Sequence, residues 1–280
     1  MKKYEAWVLA LALLAGCGAS GRLGSDGGGG GGGGGNLDGH LGGDPADLAG
    51  VTNPDLPIVD NATIYAHEAD TLYLVDPITF NLTTVGTFGA TESMTDLAIT
   101  PDGKIYTISK TSLYLVDPVT AKATELVKNL NNSTTNVALT FQTDGTLLAS
   151  DQTGKVRVID PATGMVTELG SYGSGFDTAG DLVAVADGTM FGISAAGPQS
   201  TSTSNVLIKV NPKTGTAVGV GPIGYIGVFG TAYSNGRVLA FTKTGQIIKI
   251  DPTTGAGTLV KSYSGKVFYG AGTSPLVPIS

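Results

Sequence analysis

A chain of 280 residues, 41% apolar and 14% charged, is long enough to bury one sizeable core or two smaller ones. Its net charge of −7, with Lys and Arg scattered, provides no basic face for a phosphate backbone and excludes nucleic acid as an expected partner. The only cysteine, Cys17, excludes an internal disulfide or a metal–thiolate cluster, and two histidines, His40 and His67, leave most hydrolytic chemistry short of a base.

The chain begins with a short basic start carrying Lys2 and Lys3, followed by an apolar run over residues 6–15. That run is too short to cross a bilayer and reads as the core of a signal peptide. It ends at Leu14-Ala15-Gly16-Cys17, which resembles the lipobox of bacterial lipoproteins. The resemblance implies that residues 1–16 are removed and that Cys17 is acylated, with palmitate among the chains. Each buried methylene adds about 0.8 kcal/mol of membrane affinity, so several acyl chains anchor durably. Gly18, where Asp would signal retention at the inner membrane, points to the outer membrane, facing periplasm or cell surface. An ordinary secretory signal with an incidental cysteine is the alternative.

Residues 17–60 read as a tether. The unbroken run Gly27–Gly35 and the polar stretch after it bury too little apolar surface to offset their ordering entropy. As a coil, residues 18–60 span roughly 35–40 Å end to end. A phosphate-binding loop is excluded, because no strand precedes the glycines and no Gly-Lys-Ser/Thr follows.

From residue 61 the chain repeats itself. Five β-branched segments run into Asp-Pro or Asn-Pro at Asp76, Asp117, Asp160, Asn211 and Asp251, spaced by 41, 43, 51 and 40 residues. In each, the Asx side chain accepts turn amides and Pro presets φ. Thr163-Gly164, Thr214-Gly215 and Thr254-Gly255 then supply a left-handed glycine. Phe80 and Ala121 occupy that slot in the first two copies, which predicts a different turn there, with Asn81 used in the first. Upstream, Asp102-Gly103, Asp144-Gly145, Asp187-Gly188 and Asn235-Gly236 predict type I′ hairpins with positive φ at both residues.

Each repeat therefore reads strand, tight turn, strand, loop, strand, Asp-Pro turn, strand, as in 97–100, 104–109, 113–116 and 123–127. Four strands every 40 to 50 residues with no helical period predict an all-β fold, a five-bladed β-propeller with four-stranded blades. The first repeat lacks an inner strand and the last has one too many, over 267–273. The C-terminal strand is expected to complete blade one and remove the open edges. A sixth blade would need residues 45–60, which are too few and too rich in proline. The expected state is a monomer. The repeats resemble bacterial propellers of the NHL and YVTN classes, a resemblance covering residues 61–275 that implies fold more than function. Those families include binding scaffolds, lyases and lactonases.

Aligning the inner strands places Asp96, Asn136, Asp181, Gly230 and Gly270 at equivalent positions near the channel mouth. Oxygens from Asp96, Asn136 and Asp181 suit a hard cation such as Ca²⁺, or the three residues cap neighbouring backbone amides. No other cofactor is expected. The loops on that face carry Phe88, Tyr172, Phe176, Tyr225 and Tyr263, which either bind a ligand or pack between blades. Only His67 is available for a Ser-His-Asp arrangement within the repeats, and no Gly-x-Ser-x-Gly elbow is present. The functional expectation is a lipid-anchored, non-catalytic binding or scaffolding module for a protein or carbohydrate. A Ca-assisted hydrolase or lactonase at the channel mouth is the alternative.

Overall fold

The computed structural model describes residues 63–130 and 135–278. The predicted signal peptide, Cys17 and the glycine-rich segment lie outside the described residues.

Twenty strands form five antiparallel four-stranded sheets. Blade 1 contains β1 (Ile64–His67), β2 (Thr71–Val75) and β3 (Leu82–Thr87). Blade 2 contains β4 (Asp96–Ile99), β5 (Ile105–Ile108), β6 (Leu113–Val116) and β7 (Ala123–Val127). Blade 3 contains β8 (Asn136–Phe141), β9 (Leu147–Asp151), β10 (Lys155–Ile159) and β11 (Val166–Ser171). Blade 4 contains β12 (Leu182–Ala184), β13 (Met190–Ser194), β14 (Val206–Val210) and β15 (Ala217–Pro222). Blade 5 contains β16 (Val228–Ser234), β17 (Arg237–Thr242), β18 (Gln246–Ile250) and β19 (Gly257–Ser262). The last strand, β20 (Gly270–Gly272), returns to pair with β1 as the inner strand of blade 1, in the register Tyr65↔Gly272, Ala66↔Ala271 and His67↔Gly270.

The core is divided into five clusters, one at each blade-to-blade contact. Strand periodicity explains how one sheet serves two of them, because successive side chains point to opposite faces. Along β6, Leu113 joins the cluster toward blade 3, and Tyr114 joins the cluster toward blade 1. Middle strands are therefore apolar on both faces, as in Ile247-Ile248, while the outer strands run through Thr83-Thr84 and Thr124-Glu125 to solvent. Every outer strand also carries one extra residue against its partner: Val85, Leu126, Leu169, Val220 and Val260. These bulges twist the outer edges and blunt them against pairing with another chain.

The turns differ from expectation in two ways. Only Asn235-Gly236 is a two-residue loop with positive φ at both positions, closing Ser234↔Arg237. At Gly103, Gly145 and Gly188 only the glycine is left-handed, and its N–H donates three residues back, to Thr100, Gln142 and Val185 respectively. Those three are type I turns with a glycine bulge, the three-residue hairpin solution. The five Asp/Asn-Pro turns, by contrast, are all alike. Phe80 (φ 58°) and Ala121 (φ 62°) adopt the conformation of Gly164, Gly215 and Gly255, and their N–H groups donate to Asp76 and Asp117 as those glycines donate to their own Asx carbonyls. No special turn forms in blades 1 and 2. Neighbours decide which residue fits: both Phe80 and Ala121 are buried between blades, whereas a Cβ on Gly255 would lie 2.5 Å from the Gly221 carbonyl oxygen.

After β20 the chain crosses the face bearing these turns, where Val277 is buried in the blade 4–blade 5 cluster and its carbonyl accepts the Ala186 N–H at 3.1 Å. Deleting residues 267–280 removes this contact and the inner strand of blade 1 together. The expected loss is several kcal/mol, comparable with a whole stability margin of roughly 5–15 kcal/mol. Deleting residues 18–55 should leave the melting temperature nearly unchanged. Equal melting of the two truncations would contradict closure by β20.

Candidate functional site

Of the five positions aligned from sequence, Asp96, Asp181, Gly230 and Gly270 meet on the axis and fill it instead of ringing an open channel, whereas the strand register puts Ala138, not Asn136, at the fifth place. Asp96 and Asp181 are both fully buried, and their carboxyl groups hydrogen-bond to each other. Asp96 also accepts the N–H of Leu97 at 2.8 Å and of Leu139 in blade 3 at 2.7 Å. Asp181 accepts the N–H of Leu182 at 2.5 Å, of Thr231 in blade 5 at 2.7 Å, and of Ala271 in blade 1. The two glycines make the pair possible. A Cβ on Gly270 would strike Asp96 Oδ1 and His67 Nε2, and one on Gly230 would lie 2.6 Å from the Gly270 carbonyl carbon. Asn136 is buried at the start of β8, opposite Asp151 and separated from the axial level by the bulge at Val137.

Two carboxyls in contact within a buried site share a proton, since two adjacent uncompensated charges are too costly there. Burial raises Asp181 to about 7, and burial together with the Asp181 charge raises Asp96 well above the ordinary carboxylate range. His67 borders the pair: its Nδ1 bonds the Glu68 carbonyl at 2.7 Å, its Nε2 is buried without a partner, and burial lowers its pKa to about 4. Among the described residues, no group of three or more His, Cys, Asp and Glu side chains is arranged to hold a metal.

The aromatics singled out from sequence sit mostly between blades. Phe88 packs edge-on to His67 at 5.7 Å, and Tyr172 is buried with its hydroxyl donating to Ser150 Oγ at 3.0 Å and its pKa pushed up to about 12. Phe176 belongs to the same blade 3–blade 4 cluster. Tyr225 is half-buried against the next cluster, and half-buried Tyr263 donates to the Phe80 carbonyl at 2.6 Å. These five shape the blade contacts and do not form a displayed ligand face.

The open concave surface lies one residue upstream of the axial ring. Thr95, Thr135, Gly180, Phe229 and Tyr269 immediately precede Asp96, Asn136, Asp181, Gly230 and Gly270, and all five line a bowl of about 410 Å³. The bowl has two unlike halves. Blades 2 and 3 contribute the threonines, with Lys110 and Gln152 nearby, while blades 5 and 1 contribute Phe229 and Tyr269 stacked at 6.4 Å and 29°. Phe229 is a bulge residue of β16, and Val137, also on the bowl wall, is a bulge residue of β8. Bulges re-aim side chains, and these two turn side chains toward the mouth. Glycine at 180 lets Phe229 approach, since a Cβ there would lie 2.8 Å from Phe229 Cα. Asp177 stands on the rim, its Oδ1 fixed by the N–H groups of Ala195 (2.8 Å) and Ala196 (2.9 Å) and by Ser194 Oγ (3.0 Å). An adjoining hollow of about 510 Å³ over blades 1 and 2 shares Thr95, Lys110 and Tyr269. The same inner-strand alignment that located the axial ring would have exposed this set, read one position earlier.

The raised pKa of Asp181 gives stability a pH dependence. The folded chain retains protons that an unfolded Asp releases above pH ~4, so this contribution is complete below that pH and is lost as pH rises through about 7. His67, kept neutral by burial, works in the opposite sense below pH ~6.5 and cancels when wild type is compared with Asp181→Asn. From about pH 5 to about pH 8 the wild-type Tm should fall relative to that of Asp181→Asn; parallel curves would contradict the raised pKa of Asp181. Added Ca²⁺ should leave Tm unchanged. A rise of several degrees, abolished by Asp96→Asn and by Asp181→Asn, would mean that the pair parts around a cation.

No family model matches the chain, and no curated protein matches it. Solved structures do. The chain is similar to a chain of a nidogen/laminin complex at 11% identity, covering 78% of this chain and 99% of that one, with a TM-score of 0.52. It is equally similar, at TM-score 0.52 and 18% identity, to a symmetrical protein described in terms of de novo evolutionary emergence, covering 78% of this chain and 100% of that one. TolB from Acinetobacter baumannii aligns at 18% identity over 72% of this chain and 53% of its own, with a TM-score of 0.45. At such identities the first two likenesses show the β-propeller fold alone.

Proposed function

We propose that this chain is a lipid-anchored protein of the bacterial cell envelope whose propeller serves as a non-catalytic binding or scaffolding module, with the axial bowl as its contact surface. The observation that carries the reading is the display of Phe229 and Tyr269 at the centre of the loop face. Tyr269 remains 39% exposed in a fold that buries most of its other aromatics. A partly exposed aromatic pair in a concave surface costs solvation in the free protein and repays it on contact. Beneath it the axial carboxyls are engaged by each other and by backbone N–H groups, so they support the bowl floor without reaching a ligand.

The anchor rests on Leu14–Cys17, and outer-membrane placement rests on Gly18. The chain enters blade 1 at Thr63–Ile64, on the face of the Asp-Pro turns and opposite the bowl.

Two experiments test this reading. Cys17→Ser should abolish metabolic palmitate labelling and leave the protein uncleaved or released from the membrane; labelling that persists would rule out acylation at this cysteine. Affinity capture from the native envelope should recover a component with wild-type protein that is lost with the Phe229→Ser/Tyr269→Ser double variant. Identical recoveries would remove the bowl from the binding reading.

A further inference from the structure

We propose that the bowl takes a neutral saccharide, one pyranose ring lying against the Phe229–Tyr269 pair with its hydroxyls directed to the Thr95, Thr135 and Asp177 side. This rests on the reading of the bowl as a binding surface and assigns it a ligand class. A pyranose presents an apolar, weakly positive C–H face, which suits the electron-rich face of an aromatic ring, and a rim of hydroxyls that each donate and accept. The bowl presents that pair of surfaces across one opening.

The polar half is fixed in the way hydroxyl recognition requires. Thr95 Oγ1 already donates to the Ile108 carbonyl at 3.0 Å, so it offers a ligand its lone pairs. Asp177 is immobilised through Oδ1 by two backbone N–H groups and Ser194, and Lys110 supplies a donor on the same wall. Pre-set acceptors and donors of this kind confer orientation without being reorganised on binding.

Charge and size narrow the class. The lining carries one cation, Lys110, and one carboxylate, Asp177, so it is balanced and has no surplus to attract a phosphate or an anionic polymer. In the neighbouring hollow the carboxylate of Glu92 is occupied by Ser109 and by Thr111 Oγ1 at 3.2 Å. A hydrocarbon chain would take the threonines and Asp177 out of water while offering them no further hydrogen bond. Volumes of about 410 Å³ and 510 Å³ joined at Thr95, Lys110 and Tyr269 suit a short chain of sugar rings better than a single one.

The test uses the full-length protein in detergent, with triacetylchitotriose, maltotriose and cellotriose as separate probes and choline as a cationic comparator. Saturation-transfer NMR should show contact with ring protons of at least one trisaccharide, and titration calorimetry should give its affinity. Tyr269→Ala should weaken that affinity about ten-fold, whereas Tyr269→Phe, which keeps the ring, should stay within about three-fold. Because Tyr269 is exposed, both variants should melt with the wild type. Failure of all three trisaccharides, undiminished binding by Tyr269→Ala, or saturation of choline alone would overturn the saccharide assignment. If the trisaccharides fail while envelope capture still depends on Phe229 and Tyr269, only the ligand class falls. If capture fails as well, the binding reading falls with it.

Discussion

Five inner strands converge on one axis, and at the level where they begin there is room for few side chains. The chain resolves the crowding by giving two blades glycine, at 230 and 270, and two blades aspartate, at 96 and 181. The aspartates could not be accommodated as two buried carboxylates, so they meet as an acid and a carboxylate with one proton between them. Their remaining oxygen capacity goes to backbone N–H groups on neighbouring inner strands: Asp96 reaches blade 3, and Asp181 reaches blades 5 and 1. Through two side chains, every blade is tied to the axis. A buried polar network of this kind holds only when its bonds are satisfied together, which makes the hub cooperative.

Crowding is handled differently at the rim of the ring. There the bulged outer strand of each blade abuts the left-handed residue of the next blade's Asx-Pro turn, and the two positions are complementary in size. Gly86 faces Ala121, Val127 faces Gly164, and Gly221 faces Gly255. At the seam between blades 5 and 1 the space is larger and is filled by Phe80, covered by Lys249 at 5.0 Å and tied to Tyr263. A bulky residue at positive φ is strained by about 1–2 kcal/mol, and burial of the Phe80 ring between two blades offsets it.

Between hub and rim lies the surface that makes this propeller chemically distinct. The blade contacts absorb Phe88, Tyr172 and Phe176, which leaves Phe229 and Tyr269 as the aromatics at the mouth. Their placement depends on the hub beneath them. Gly230 and Gly270 let the inner strands of blades 5 and 1 approach the axis closely, which brings the residue before each glycine into range of the other. The stacked pair is thus a consequence of the same spatial limit that forces the acid pair.

The sequence by itself determined the architecture. Repeated Asx-Pro turns, glycine-marked hairpins and alternating apolar strands are local signals, each set by a few neighbouring residues, and their period gave blade number, strand order and the surplus C-terminal strand. The strands of blade 2 fall within a residue or two of their expected limits for that reason. Only the tertiary structure decided what depends on the space between blades. The alignment put Asp96, Asn136 and Asp181 at one level, but the bulge at Val137 displaces Asn136 from it, and the distance across the axis decided that the two aspartates touch. Composition gave Phe80 and Ala121 no claim to a left-handed turn, yet the adjoining blade shaped the space that keeps them there. Loop aromatics look alike in a sequence; whether a ring is buried like Tyr172 or displayed like Tyr269 depends on which blade lies beside it. That is a contact between residues far apart in the chain, for which no local pattern exists.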